Sequence, residues 1–208
     1  MAMSGSYKTI AEPVRTEIRV RGSRFIATAL PVSTKEEAAV ELARIQKEFW
    51  DATHNCYAYR LAPDGLQYRF ADDGEPSGSA GKPILFVLQQ RELVDCLVVV
   101  TRYFGGTKLG VGGLVRAYSD ATIAALDMTR TVTCHPTDSV RIFATYDDMR
   151  AVRQLVERYA LRMEEEFEDV IRYTVDLRSD QVEEFSVLLT EVSQGRAGMV
   201  NLDQIDRA

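Results

Sequence analysis

The segment VDCLVVVTRYFGGTKLGVGGLVRAYSDATIAALDM (residues 94–128) passes from an apolar run through a basic glycine-rich loop into a helical pattern. Val94–Thr101 suits a central strand buried on both faces of a sheet. The loop and helix start, RYFGGTKLGVGGLVR (102–116), hold five glycines between 105 and 113 and carry Arg102, Lys108 and Arg116 with no acidic residue. The helix is expected to begin near Gly113 and to run to about Met128. Glycine allows positive φ and close backbone approach, and a helix N-terminus presents unpaired N–H groups with partial positive charge. Gly105, Gly106, Gly110, Gly112 and Gly113 with Arg102, Lys108 and Arg116 are therefore candidate phosphate or nucleic-acid ligands. The competing reading is that the glycines only permit tight turns and close helix-on-sheet packing. The spacing matches neither the P-loop nor the dinucleotide-binding pattern.

Working outward toward the N-terminus, DDGEPSGSAGKP (72–83) has three glycines and two prolines and cannot be a regular element. Pro83 can start a short helix to about Arg91, because its missing N–H costs nothing in a first turn. Asp72, Asp73 and Glu75 beside Ser77, Ser79 and Lys82 could hold a magnesium ion through water. They could equally pair with the arginines of the next loop and cap the helix behind Pro83; Lys82 joins the candidate anion ligands. Thr53–Ala62 and Leu66–Ala71 read as paired strands around Pro63-Asp64-Gly65. His54 and Cys56 then share one strand face. Two ligands are too few for zinc, and no third group orients a cysteine–histidine pair. Tyr57 and Tyr59 read as strand packing; facing solvent, they could instead stack bases. Val14–Val20 and Ser23–Val32 form a strand pair turned by Gly22-Ser23. Ser33 with Glu36, or Thr34 with Glu37, caps a helix whose apolar stripe runs Ala38, Leu42, Ile45, Phe49 and on to Trp50. Residues 1–12 are small, polar and expected to fray.

Toward the C-terminus, Thr131–Cys134 is a candidate closing strand and His135-Pro136-Thr137 a linker. This divides the chain into domains 1–137 and 138–208. The second domain reads as strand Ser139–Thr145, helix Asp147–Ala160 and a hairpin of Leu161–Phe167 with Val170–Leu177. A helix opened by Asp180 with Glu183 follows, burying Val182, Phe185, Leu188, Leu189 and Val192, and Ala197–Leu202 is the last strand. The order β-α-β-β-α-β is the ferredoxin-like split arrangement. The fold class is thus α+β with two domains.

Composition limits the partners. Of the chain's net charge of −6, residues 138–208 carry −7, with nine arginines, no lysine and 16 acidic residues. Any contact to phosphate backbones must be local to the first domain. No apolar run approaches the roughly 18–20 residues that span a bilayer, and MAMSGSYKTI has no signal-peptide pattern. No membrane association and a cytoplasmic location are expected. Cys56, Cys96 and Cys134 are far apart and odd in number, as reduced, mostly buried thiols would be.

At SRFIA (23–27), HNCYAYR (54–60), DDGEPSGSAGKPIL (72–85) and RYFGGTKLGVGGLVRAYSDA (102–121) the sequence resembles the IMPACT family. The likeness is to its short bacterial YigZ-type form, without the extra N-terminal module of eukaryotic members. The resemblance covers residues 14–130 well and 138–205 by pattern. It implies a first domain of the βαβ type, like domain four of translation elongation factor G and a small-subunit ribosomal protein. The second domain would resemble domain five of the same factor. Eukaryotic members are linked to translational control, and no catalytic residues carry over.

Three functions are compatible with these features. The first is a non-enzymatic RNA- or ribosome-binding module that modulates translation. The second is a small-molecule phosphate or nucleotide site, possibly an enzyme, on the glycine-rich loop. The third is a protein-interaction regulator that docks through the acidic second domain. No nucleophile–base–orienter set is legible, so a catalytic role is disfavoured and no cofactor beyond a possible magnesium ion is expected.

Overall fold

The computed structural model describes residues 5–61 and 64–202. The chain divides into two compact units between Cys134 and His135. The first unit runs β1 (Tyr7–Ile10), β2 (Val14–Val20), β3 (Ser23–Pro31), α1 (Lys35–Glu48), β4 (His54–Leu61), β5 (Gln67–Ala71), α2 (Gly81–Gln90), β6 (Cys96–Tyr103), α3 (Gly110–Leu126) and β7 (Thr131–Cys134).

A fully antiparallel sheet is ordered β2-β3-β6-β4-β5. The apolar run of β6 takes the middle, where Cys96 to Val100 are each 0% exposed. Because β3 and β4 both run antiparallel to β6, they are parallel to one another, and α1 joins them as a split βαβ unit. Strand alternation sorts the side chains onto two faces. Phe25, Cys56, Ala58 and Val98 pack against α2 and α3. On the other face Tyr57, Tyr59 and Leu61 pack with Ala38, Leu42 and Ile45 of α1. Tyr57 and Tyr59 are therefore core residues and offer no surface for stacking.

Several local expectations are corrected. Tyr7–Ile10 is not frayed: β1 pairs antiparallel with β7, Ile10 is 2% exposed, and Thr9 Oγ1 donates to the Asp95 carbonyl at 3.0 Å. The hairpin turn is Arg21-Gly22 rather than Gly22-Ser23, since Val20 pairs with Ser23 and both turn residues have positive φ (46° and 84°). That is the conformation a two-residue hairpin turn needs to match strand twist. At α1 the second capping pair is the real one: Thr34 Oγ1 accepts from Glu37 N at 3.0 Å and the Glu37 carboxylate accepts from Ser33 N at 2.7 Å. The helix ends at Glu48, which leaves Trp50 outside it and 83% exposed. α2 begins at Gly81 and α3 at Gly110, each ahead of the expected start. In the turn between β4 and β5, Pro63 lies outside the described residues, while Asp64 Oδ1 accepts from Leu66 N at 2.8 Å.

The second unit runs β8 (Thr137–Ala144), α4 (Met149–Tyr159), β9 (Arg162–Phe167), β10 (Ile171–Arg178), α5 (Val182–Ser193) and β11 (Gly198–Asn201). Its sheet is antiparallel in the order β11-β8-β10-β9, the ferredoxin-like arrangement. Ile142 and Tyr173 of the sheet are buried with Val152 and Val156 of α4 and Phe185 and Leu189 of α5. Two details of α5 differ from expectation. Val192 is 38% exposed, and Asp180 is held by Arg178 instead of capping the helix.

Candidate functional site

Four connections meet at one end of the first sheet: the Arg21-Gly22 turn, residues 49–53, residues 72–80 and residues 104–109. Their meeting is fixed by backbone contacts. A Cβ on Gly105 would lie 1.9 Å from the carbonyl carbon of Gly22, so only glycine lets the 104–109 loop seat on the hairpin. Gly105 N donates to Ser23 Oγ at 3.1 Å. Thr53 N donates to the Arg102 carbonyl at 2.9 Å, Phe104 N to Thr53 Oγ1 at 3.1 Å, and the Tyr103 hydroxyl to Asp51 Oδ1 at 2.7 Å.

Beneath these loops lies a buried polar network. Arg102 Nη1 donates to Glu75 Oε1 at 2.5 Å, and the Tyr118 hydroxyl donates to the same oxygen at 2.8 Å. The Arg102 guanidinium sits 5.4 Å from the Phe25 ring centroid and 5.7 Å from that of Phe104. Cys56 Sγ lies 3.0 Å from the Asp72 carbonyl and 3.3 Å from the Tyr118 hydroxyl. Burial is the main reason the Cys56 thiol is pushed up to about 12, so no thiolate forms at neutral pH. Burial, then the neighbouring Cys56 and Glu75, also drives the Tyr118 hydroxyl far above its ordinary value. His54 Nδ1 is bonded to the Asp73 carbonyl at 2.6 Å, and its Nε2 is 3.9 Å from Glu75. The network is a structural clasp that ties the end of β6 and α3 to the loop ahead of α2.

This corrects two expectations. Arg102 does not face outward as a phosphate ligand, because it is 5% exposed and neutralised by Glu75. The three carboxylates do not converge on a cation either. Asp72 accepts from the N–H groups of Gly78, Ala80 and Gly81, which caps α2, and Asp73 accepts from Asn55 N. Among the described residues no group of three or more His, Cys, Asp or Glu could hold a metal ion. The alternative reading of this loop, pairing and capping, is the one observed.

Three outward cations, Arg21, Lys108 and Arg116, are exposed and lack a carboxylate partner among the described residues. Lys82 is exposed on the first turn of α2. Gly106 and Gly110 are exposed, and Gly110 (φ 72°) turns the chain into α3. Gly112 lies inside the first turn without positive φ and with nothing within 4 Å of an added Cβ, so neither conformation nor packing requires a glycine there. A cleft of about 310 Å³ opens beside it, lined in part by Arg21, Leu109, Gly112, Gly113, Arg116 and Asp120. Sequence reasoning missed Arg21, Tyr118, Ser23 and Trp50 as members of this end. Lys108 and Arg116 of the basic rim were legible from the glycine-rich loop, whereas Arg21 stands in a distant hairpin turn and the hydroxyls of the clasp had no pattern to mark them.

Fold and site together define a two-unit α+β protein whose first unit displays a basic, glycine-rich loop locked onto its sheet. Residues 21–126 match the Impact N-terminal domain and residues 142–196 match the Domain of unknown function (DUF1949). The chain belongs to the IMPACT family. It is 37% identical to IMPACT family member YvyE of Bacillus subtilis (strain 168), over 94% of this chain and 90% of that one. It is 31% identical to IMPACT family member YigZ of Escherichia coli (strain K12), over 93% of this chain and 97% of the other. A solved structure described as the crystal structure of an hypothetical protein matches at TM-score 0.74 and 31% identity, covering 95% of this chain and 98% of its own. Among the described residues no helix is long and apolar enough to cross a membrane.

Proposed function

We propose that the glycine-loop end of the first unit is a non-enzymatic contact surface for RNA or the ribosome, through which the protein modulates translation. The observation that carries this reading is the separation of charge at that end. Of the carboxylates of residues 72–75, Glu75 is consumed inside the clasp, Asp72 caps α2 and Asp73 accepts from Asn55 N, whereas Arg21, Lys108 and Arg116 stay exposed and unpaired among the described residues. A surface sorted in this way attracts a phosphate backbone locally although the chain as a whole is acidic. Family membership supports a regulatory role in general, and the buried thiol and tyrosine argue against a catalytic one.

The cleft beside Gly112 favours a second reading, a single phosphate-bearing small molecule bound between Arg21 and Arg116. Salt separates the two. For RNA, the logarithm of affinity falls with the logarithm of salt by about 0.7 per phosphate engaged on a single strand, so several contacts give a steep line. Filter binding of RNA across a salt series should give that steep dependence. No measurable RNA binding, together with salt-tolerant binding of a nucleotide, overturns the first reading in favour of the second.

A further inference from the structure

The lone tryptophan of the chain, Trp50, is 83% exposed, and Phe104 is 48% exposed. Neither ring earns a place in the core. Both sit at the basic end of the sheet, because Asp51 is bonded to Tyr103 and Thr53 to both Arg102 and Phe104. Phe104 is backed by the Arg102 guanidinium, which limits its freedom without covering it. Tyr103 beside it is likewise faced by Arg24, 5.2 Å from the ring centroid. Large exposed rings cost solvation, and a surface has little reason to hold them at the same end of a sheet as a basic loop unless a ligand covers them. Aromatic faces next to Lys and Arg are what an unpaired nucleotide chain needs, since each base offers a π-face and each linkage a phosphate. A base-paired helix offers no such faces along its length, its bases being stacked on one another.

We infer that this end binds single-stranded RNA, with bases stacking on Trp50 and Phe104 and phosphates held by Lys108, Arg21 and Arg116. The inference rests on the RNA reading above and narrows it to unpaired strands. Asp51, Asp73 and Asp120 are exposed acidic groups at the margins; Asp51 is engaged by the Tyr103 hydroxyl, Asp73 accepts from Asn55 N, and Asp120 lines the cleft beside Arg116. The strand is therefore placed along Phe104–Lys108, a stretch that itself carries no acidic residue.

Because Trp50 is unique, its fluorescence reports the contact directly in the full chain. Titration with a single-stranded oligouridylate should quench it, and a duplex RNA of the same length should bind more weakly and quench little. Trp50→Ala should weaken the single strand by about five- to 150-fold, matching about 1–3 kcal/mol per stacked base. It should leave the salt slope and the melting temperature unchanged, while Trp50→Phe restores most of the affinity. Binding of RNA with a steep salt slope but no quenching, or with Trp50→Ala at wild-type affinity, overturns the stacking inference and leaves the RNA reading standing. Equal binding of duplex and single strand overturns the preference for unpaired RNA. Wild-type protein that binds no RNA overturns both.

Discussion

Arg102 Nη1 and Glu75 Oε1 lie 2.5 Å apart with their side chains only 6% and 4% exposed, and this pair ties the end of β6 to the loop ahead of α2. Two charges withdrawn from water hold each other at a cost that only good geometry offsets. Tyr118 adds a hydrogen bond to the same carboxylate, and Ser23 Oγ lies 3.4 Å from Arg102 Nη2, which supplies part of that geometry.

Removing one partner should leave an uncompensated buried charge. Arg102→Ala and Glu75→Ala are each expected to lower unfolding free energy by about 3–5 kcal/mol. Replacing both with leucine should cost clearly less than the sum of the two single changes. Denaturant midpoints of the variants check this, and strict additivity would show that the pair is not coupled.

The glycines should behave differently from one another. Gly105→Ala drives a Cβ into the Gly22 backbone and should unseat the loop with a large fall in melting temperature. Gly112→Ala meets open space in an ordinary helical conformation and should raise stability by up to about 1 kcal/mol, the helix-propensity gain of alanine. Thermal melts followed by circular dichroism distinguish these outcomes.

The thiols provide a third check. Cys56 and Cys96 are buried, and burial pushes each thiol up to about 12, while Cys134 is partly exposed. Native protein should react quickly with a thiol reagent at Cys134 alone, and all three should react after denaturation. Rapid native labelling of Cys56 would contradict the closed clasp.

Much of this architecture was legible because periodicity carries it. The apolar run of β6, the stripe of α1 and the six-element order of the second unit follow directly from where apolar residues recur. The misreadings share a cause: contacts from distant sequence. Tyr7–Ile10 looked frayed because its partner, Thr131–Cys134, lies at the far end of the same unit. Arg102 looked like a ligand because Glu75, which neutralises it, stands in another loop. Trp50 looked like the last rung of an apolar stripe, but α1 stops at Glu48. The metal reading of Asp72, Asp73 and Glu75 failed because carboxylates beside a glycine-rich turn are as useful for capping N–H groups as for binding a cation.

In the second unit, Asp148 is anchored by Arg196. Hydrogen bonds from Arg196, then from Thr145, hold its carboxyl below the usual value. A carboxyl lowered by folding adds stability above its unfolded pKa of about 3.9 and loses it as pH falls through the lower folded value. Arg196→Ala should therefore destabilise the protein near neutral pH and make little difference in strong acid. Urea melts of both proteins across that range test the sign.

Lys108 stands between the glycines of the exposed loop, with no partner among the described residues, and carries the central claim most directly. The decisive measurement is RNA affinity as a function of salt for wild type and Lys108→Ala at matched melting temperature. The account predicts an unchanged fold, weaker binding, and a salt slope smaller by about one phosphate contact. A normally folded Lys108→Ala protein with wild-type affinity and slope for RNA, and undiminished binding of ribosomes and nucleotides, would contradict it.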